Sequence, residues 1–139
     1  MKIFIQSSVV FLLLILSSAV FADVAVIVAK DSNFTVSKDE IPRLFLGKLK
    51  EFGDGTVATP VYAQDENPTH NEFNDKVLKK SAGKLKAYWS KLLFSGKGSP
   101  PEAFATDVEI IAEVIASKGT IGYISTESVS DSVKVLATF

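Results

Sequence analysis

The sequence predicts an α/β fold, with a mixed, mostly parallel sheet flanked by helices, in one domain that spans residues 23–139. Residues 24–29 (VAVIVA) form an apolar, β-branched run without a polar face, which is typical of a strand buried on both sides. Amphipathic helical patterns then alternate with further apolar runs. Because strands separated by helices tend to pair in parallel, this order favours a sheet covered by helices.

The first 22 residues have the pattern of a secretory signal peptide. Lys2 gives a positive start, residues 9–16 (VVFLLLIL) form an apolar run, and residues 20–22 (VFA) end in a small residue before Asp23. We therefore expect residues 1–22 to be cleaved and the protein to work outside the cytoplasm. The alternative is a retained membrane anchor, but this core is only about half of the roughly 20 apolar residues that span a bilayer.

Composition excludes several classes of function. Cleavage of 22 from 139 residues would leave 117, with 14 basic and 16 acidic side chains. This balance gives no basic excess to attract nucleic acid or anionic lipid. The chain has no cysteine and one histidine, so we expect no disulfide, metal site or cofactor. No second apolar run approaches membrane length, so the mature chain is not expected to span a membrane.

A helix and a second strand are predicted after the first strand. Ser37 and Glu40 have the spacing of a capping box, and Gly47 marks the expected helix end. Residues 53–55 (GDG) predict a turn, and residues 57–62 (VATPVY) predict a strand. The expected inward side chains of this helix are Ile41, Leu44, Phe45 and Leu49.

Three further helices are predicted in the rest of the chain. Asn67 begins the second, Ser81 caps the third, and Thr106 with Glu109 caps the fourth, whereas residues 95–101 (SGKGSPP) exclude regular structure. Closing strands are expected over residues 121–125 and 133–136. The expected inward side chains are Phe73, Val77 and Leu78 in the second helix, Leu85, Tyr88, Trp89, Leu92 and Leu93 in the third, and Val108, Ile111 and Ile115 in the fourth.

Catalysis is not expected. His70 is the only histidine, and the sequence contains no Gly-x-Ser-x-Gly nucleophile motif. The carboxylates of Asp65 and Glu66 are adjacent in sequence, an arrangement in which the two side chains usually point apart into solvent. The glycine–lysine pairs at 47–48 and 96–97 do not complete a Walker motif, so nucleotide hydrolysis is excluded.

Two short segments are candidates for anion binding. Asn67, Thr69 and His70 stand at a helix start, where free N–H groups and the helix dipole favour negative charge. Gly96 lets backbone N–H groups turn toward an anion, and Lys97 adds positive charge. The alternatives are ordinary N-capping at Asn67, a helix C-cap and loop at Gly96, and a partly exposed surface position for His70.

Several blocks of the sequence, in register, resemble the phosphate-type periplasmic substrate-binding proteins. Residues 41–47 (IPRLFLG), 52–55 (FGDG) and 57–61 (VATPV) are similar to a helix–turn–strand segment of that family. The resemblance implies a type II periplasmic-binding-protein fold, of which this chain resembles the second of two lobes. The later blocks that continue the match are residues 88–90 (YWS), 94–98 (FSGKG) and 119–123 (GTIGY).

The family's anion contacts come from a Ser-Gly-Thr-like helix start, often followed by arginine. The corresponding stretch here is residues 67–73 (NPTHNEF), where Thr69 keeps a hydroxyl and Phe73 matches the family's aromatic residue. The Ser-Gly-Thr sequence and the arginine are missing, and Asp65 and Glu66 add negative charge just upstream.

The resemblance implies a periplasmic solute-binding protein similar to the substrate-binding component of a phosphate ABC transporter. Its expected partners are a small anion such as phosphate and a membrane permease. Binding is expected to be weak, because one lobe alone cannot enclose an anion. The alternative is a protein-interaction or sensory module with an envelope partner, since the missing lobe leaves a surface uncovered.

Overall fold

The computed structural model describes residues 23–139, so the predicted signal peptide at 1–22 lies outside the described residues. Within this range, the chain forms five strands and four α-helices. No helix among these residues has the length and apolar character to cross a membrane. The strands are β1 (Val24–Ala29), β2 (Thr59–Ala63), β3 (Glu102–Phe104), β4 (Thr120–Ser125) and β5 (Val133–Thr138), and the helices are α1 (Glu40–Phe45), α2 (Pro68–Phe73), α3 (Ala82–Phe94) and α4 (Asp107–Ala116).

The five strands form one mixed sheet in the order β3-β2-β4-β1-β5. β2 pairs in parallel with both β3 and β4, whereas β1 pairs antiparallel with both β4 and β5. Parallel and antiparallel pairs are thus equal in number, and the parallel pairs occupy one side of the sheet. All six residues of β1 are buried, which confirms the strand predicted from its unbroken apolar run.

The predicted helix starts are confirmed at three of the four helices. Asn67 caps α2, Ser81 caps α3 through Lys84 N–H at 3.3 Å, and Thr106 forms a capping box with Glu109 at the start of α4. α2 continues as a π-helical turn over Asn74–Leu78. At α1 the side chain of Ser37 makes no capping bond, and only its N–H donates to the Glu40 carboxylate, at 2.8 Å.

The inward face of α4 differs from the predicted one. Val108 and Ile115, which were expected in the core, are 75% and 52% exposed, whereas Ile110 and Val114 are fully buried. Apolar residues lie on both stripes of this helix, so spacing alone did not decide between them. The face with Ile110 and Val114 packs against β4 because Gly122 has no Cβ, which leaves room for their methyl groups.

Three further differences from the prediction concern β2, β3 and Leu93. The second strand begins two residues later than expected, at Thr59, and β3 was not predicted because three residues carry almost no periodic signal. Leu93, expected to face inward, is 60% exposed at the end of α3. The expected packing of Trp89 is confirmed, since this side chain is buried against β2.

An aromatic cluster fixes α2 against the sheet. The rings of Phe73 and Tyr123 stack with centroids 3.7 Å apart, and Phe45 packs edge-on against Phe73 at 4.7 Å. The Tyr123 hydroxyl accepts the Ala63 N–H at 3.0 Å, and the Tyr62 hydroxyl donates to the Phe45 carbonyl at 2.6 Å. Burial raises the pKa of both Tyr62 and Tyr123 well above the usual range. The end of α2 is therefore held against the sheet by the ring of Phe73, beside two neutral, hydrogen-bonded tyrosines.

Candidate functional site

The candidate site lies at the edge of the sheet where β2, β3 and β4 end. Because these three strands are parallel to one another, the segments that follow them meet at the same edge. Ligands of open α/β sheets bind outside the carboxyl ends of such strands. Here this edge carries a cavity of about 380 Å³, which we call the carboxylate cavity. It is lined by Glu66, Asn67, Pro68, Thr69, Ala105, Asp107, Ser125, Glu127 and Ser128.

Asn67 and Thr69 lie together in this cavity, and both take part in the chain's own hydrogen bonding. The Asn67 side-chain oxygen accepts the Thr69 N–H at 2.9 Å, which is the expected N-cap of α2. Its amide nitrogen donates to Asp107 Oδ1 at 2.9 Å. Thr69 is almost fully buried. Asn67 therefore connects α2 to α4, and its side chain is already satisfied on both sides.

Asp107 is the residue of this cavity that the sequence did not reveal. Its Oδ1 accepts from Asn67, and its Oδ2 accepts from the Ser125 N–H at 3.1 Å and from the Ser128 hydroxyl at 2.7 Å. In sequence it stands directly after the Thr106 cap, where an acid is an ordinary helix-dipole residue. In the fold, its carboxylate accepts three hydrogen bonds and joins the segment after β2 to the segment at the end of β4.

The charges of the carboxylate cavity are negative. Glu66, Asp107 and Glu127 line it, and no lysine or arginine of residues 23–139 does. A dianion here meets like charge, which costs free energy unless a cation or a closed second wall offsets it. Within the described residues, no group of three or more acidic or histidine side chains is arranged to hold a metal ion.

His70, which was predicted to bind an anion together with Asn67 and Thr69, lies on a different cavity and is buried, so the alternative of a partly exposed surface position is also wrong. Its Nδ1 lies 2.8 Å from the Ala63 carbonyl oxygen and its Nε2 lies 3.1 Å from the Asn74 amide nitrogen. A carbonyl oxygen only accepts, so Nδ1 carries a hydrogen and donates it to Ala63. The carboxylate of Asp65 lies 3.3 Å from Nε2. Both ring nitrogens therefore have partners within the chain.

The cavity that contains His70 is the largest of the three described here. Its volume is about 710 Å³, and we call it the apolar cavity. Tyr62, Leu85 and Trp89 form its inner wall, and Leu93 and Pro101 lie on its outer wall. Asp65 and Lys86 also line this cavity, and Glu66 lines both it and the carboxylate cavity.

Gly96 and Lys97 close the end of α3. Gly96 adopts a left-handed conformation with φ of +69°, which glycine tolerates without strain. Its N–H donates to the Leu93 carbonyl at 3.2 Å, and the Lys97 N–H donates to the Leu92 carbonyl at 2.9 Å. This is the helix C-cap that stood as the alternative to anion binding. Lys97 lines a third cavity, of about 350 Å³, next to β2.

The five predicted anion-binding residues are therefore not gathered in one place. Asn67 and Thr69 share the carboxylate cavity, His70 lines the apolar cavity, and Lys97 lines the third. Gly96 lines none of these three cavities. The signal that would have pointed to Asp107 is its position after β3, but β3 was itself too short to predict.

The fold is shared with solved structures of phosphate-binding proteins. A phosphate ABC transporter substrate-binding protein from Clostridium perfringens, solved with bound phosphate, matches with a TM-score of 0.64 and 20% identity. This match covers 83% of the present chain and 45% of that chain. An ABC-type phosphate transport receptor from Vibrio cholerae matches at 0.64 and 14% identity, covering 83% and 46%. PstS from Borrelia burgdorferi matches at 0.59 and 11% identity, covering 84% and 47%.

These matches confirm the predicted fold of the phosphate-type periplasmic binding proteins. The present chain spans a little under half the length of the solved proteins. No protein-family model matches the chain, and no curated protein matches it in sequence.

Proposed function

We propose that this protein is one lobe of a periplasmic solute-binding protein and that it binds a small anion weakly at the carboxylate cavity. The observation that carries the proposal is the position of Asn67 and Thr69, at the turn between β2 and α2, in a fold shared with proteins named for phosphate binding. In this proposal the protein binds its solute and performs no chemistry on it, and a membrane permease is its partner.

Weak binding follows from two physical features. A single lobe leaves one side of the solute in water, whereas small-molecule sites normally bury most of the ligand surface. The carboxylates of Glu66, Asp107 and Glu127 also repel an anion at this edge. A second lobe, a second copy or a permease would have to supply positive charge for tight binding.

Isothermal titration with phosphate at low salt tests the proposal, with sulfate and small carboxylates as competitors. We expect saturable binding of one phosphate per chain. Thr69→Val, which removes the hydroxyl and keeps the shape, should weaken it, and Thr69→Ser should restore it. Lys97→Ala should leave it unchanged if the site is confined to the carboxylate cavity. The absence of heat with every anion, at protein concentrations near 1 mM where about millimolar affinity is detectable, would overturn the proposal.

A protein-interaction or sensory module is the second candidate, and the apolar cavity favours it. This cavity is open to solvent beside α3, with Trp89 and Leu93 on its walls. A photo-crosslinking amino acid at Ser90, which lines the cavity, should capture an envelope protein in cells under this second candidate. The same amino acid at Glu113, on α4, is the matched control. A specific adduct at Ser90 together with silent anion titrations would favour the module over the solute-binding lobe.

A further inference from the structure

Charge is strongly segregated along this chain. Residues 76–101 contain seven lysines and no acidic residue. The rest of the predicted mature chain holds the other seven basic residues and all 16 acidic ones. The net charge of the whole protein is small although residues 76–101 are strongly basic, and α3 forms the centre of this basic segment.

The lysines of α3 flank its outward face on both sides. Leu85 and Trp89 are buried against the sheet and define the inward side of the helix. At 3.6 residues per turn, Lys84 and Lys91 then fall on one flank and Lys86 on the other. All three lysines are exposed. Among residues 23–139, no carboxylate lies within ion-pair distance of these three ammonium groups.

The same face ends in exposed apolar side chains. Phe94 is 96% exposed and Leu93 is 60% exposed. Between the lysine flanks, the outward line of the helix carries only small residues, at Gly83, Ala87 and Ser90. This line allows the helix to approach a flat surface closely, with Phe94 projecting at its end. We call the set of Lys84, Lys86, Lys91, Leu93 and Phe94 the lysine surface.

We propose that the lysine surface binds the surface of an anionic phospholipid bilayer, with Phe94 entering the interface between headgroups and acyl chains. Lysines attract a surface to anionic headgroups, and an exposed phenylalanine gains free energy by entering the boundary between headgroups and acyl chains. The negative surface of such a bilayer complements a segment with seven lysines and no acid. A bilayer is favoured over an acidic protein because Phe94 is 96% exposed, lines none of the three cavities and needs no matching pocket in a lipid surface.

This inference stands apart from the proposed solute-binding function, because it uses none of the residues of the carboxylate cavity. It differs from the expectation, based on net charge alone, that the chain has no basic excess to attract anionic lipid. One aromatic side chain and a few lysines give reversible binding that depends on salt, since exposed charges are screened within about 10 Å at 0.1 M salt.

Vesicle flotation tests this inference by measuring the fraction of protein that floats with lipid. The protein is expressed as the full chain and then purified. Vesicles of phosphatidylcholine alone are compared with vesicles in which about one third of the lipid is phosphatidylglycerol. We expect binding to the anionic vesicles only, weakened by salt. Each lysine near an anionic surface contributes about fivefold to the partition coefficient between vesicle and water. The double variant Lys84→Gln/Lys91→Gln should therefore lower this partition coefficient about 25-fold.

The matched control is Lys30→Gln/Lys118→Gln, which removes the same charge from exposed positions outside residues 76–101. Phe94→Trp adds a surface fluorophore to a chain whose own tryptophan, Trp89, is buried. The added emission should shift to shorter wavelength with anionic vesicles and be quenched by brominated lipid. Circular dichroism verifies that each variant stays folded.

Three outcomes would each overturn the inference. The first is equal binding of the protein to both kinds of vesicle. The second is an equal loss of binding in the lysine-surface variant and in the control variant. The third is a Phe94→Trp emission spectrum that does not change when anionic vesicles are added. Capture of an acidic protein by the lysine surface without lipid binding would likewise overturn it.

Discussion

Asp107→Asn changes one atom and removes one charge from the carboxylate cavity. The carboxylate accepts hydrogen bonds from Asn67 at 2.9 Å, from the Ser125 N–H at 3.1 Å and from the Ser128 hydroxyl at 2.7 Å. An asparagine has one accepting oxygen, so its amide nitrogen must face at least one of these donors. Loss of one hydrogen bond to a charged group costs about 1.5–3 kcal/mol. The weakened interaction with the α4 dipole costs about 0.3–1 kcal/mol more. We expect the free energy of unfolding to fall by about 2–4 kcal/mol.

The same substitution should strengthen anion binding. Two unit charges about 5 Å apart repel by about 3 kcal/mol at an effective dielectric constant near 20. Because the cavity is open to solvent, we expect part of this effect, which corresponds to a gain in phosphate affinity of about tenfold or more. The Asp107→Asn variant should thus be less stable and bind phosphate more tightly. A purely structural role of Asp107 predicts the loss of stability without the gain in affinity.

Urea denaturation and phosphate titration of the same preparations measure both effects. Asp31→Asn is the control, because Asp31 follows β1 at the opposite end of the sheet from Ser125. It removes one exposed negative charge without touching the cavity, so stability and affinity should hardly change. An Asp107→Asn protein as stable as the original would refute the hydrogen-bond argument. Unchanged phosphate affinity in a destabilised variant would refute the electrostatic argument alone.

Three further predictions concern the core. Gly122→Ala should lower stability by about 1–3 kcal/mol in a urea melt, because its Cβ would lie 2.8 Å from an Ile110 methyl group. Ile110→Ala should cost about 2–5 kcal/mol and Ile115→Ala less than about 1 kcal/mol, and the reverse order would contradict the observed face of α4. Burial raises the pKa of Tyr62 and Tyr123, so the unfolded chain loses these protons first. The free energy of unfolding should therefore not depend on these tyrosines below about pH 10. Above that pH it should fall by up to about 1.4 kcal/mol per pH unit for each tyrosine. Urea melts at alkaline pH should show a smaller fall for the double variant Tyr62→Phe/Tyr123→Phe.

The elements with strong local signals could be predicted from sequence. The apolar run of β1 and the caps at Ser81 and Thr106 were recognisable because each depends on neighbouring residues. The face of α4 was not, since both of its stripes are apolar and the choice depends on Gly122, which is distant in sequence. β3 was missed because its pairing with β2 is a tertiary contact made by only three residues.

The candidate site could be predicted only in part, for the same physical reason. Asn67 and Thr69 stand within one turn of chain, and the N-cap between them is a local bond. Asp107 reaches Asn67 across 40 residues, and Ser125 and Ser128 approach it from the end of β4. The burial of His70 also depends on Ala63 and Asn74, and local composition around a single histidine does not encode it.

Because charge is segregated in this chain, an added phosphate ion would meet two different electrostatic environments. The carboxylate cavity offers donors that the chain already uses, together with three negative charges. The outward face of α3 offers exposed ammonium groups at Lys84, Lys86 and Lys91. Non-specific binding at α3 should be lost with moderate salt and in Lys84→Gln/Lys91→Gln, whereas binding at the cavity should persist in that variant and respond to Thr69→Val. A titration that responds to the lysine variant and not to Thr69→Val would assign all anion binding to α3, and this protein would then share the fold of phosphate-binding proteins without using their site.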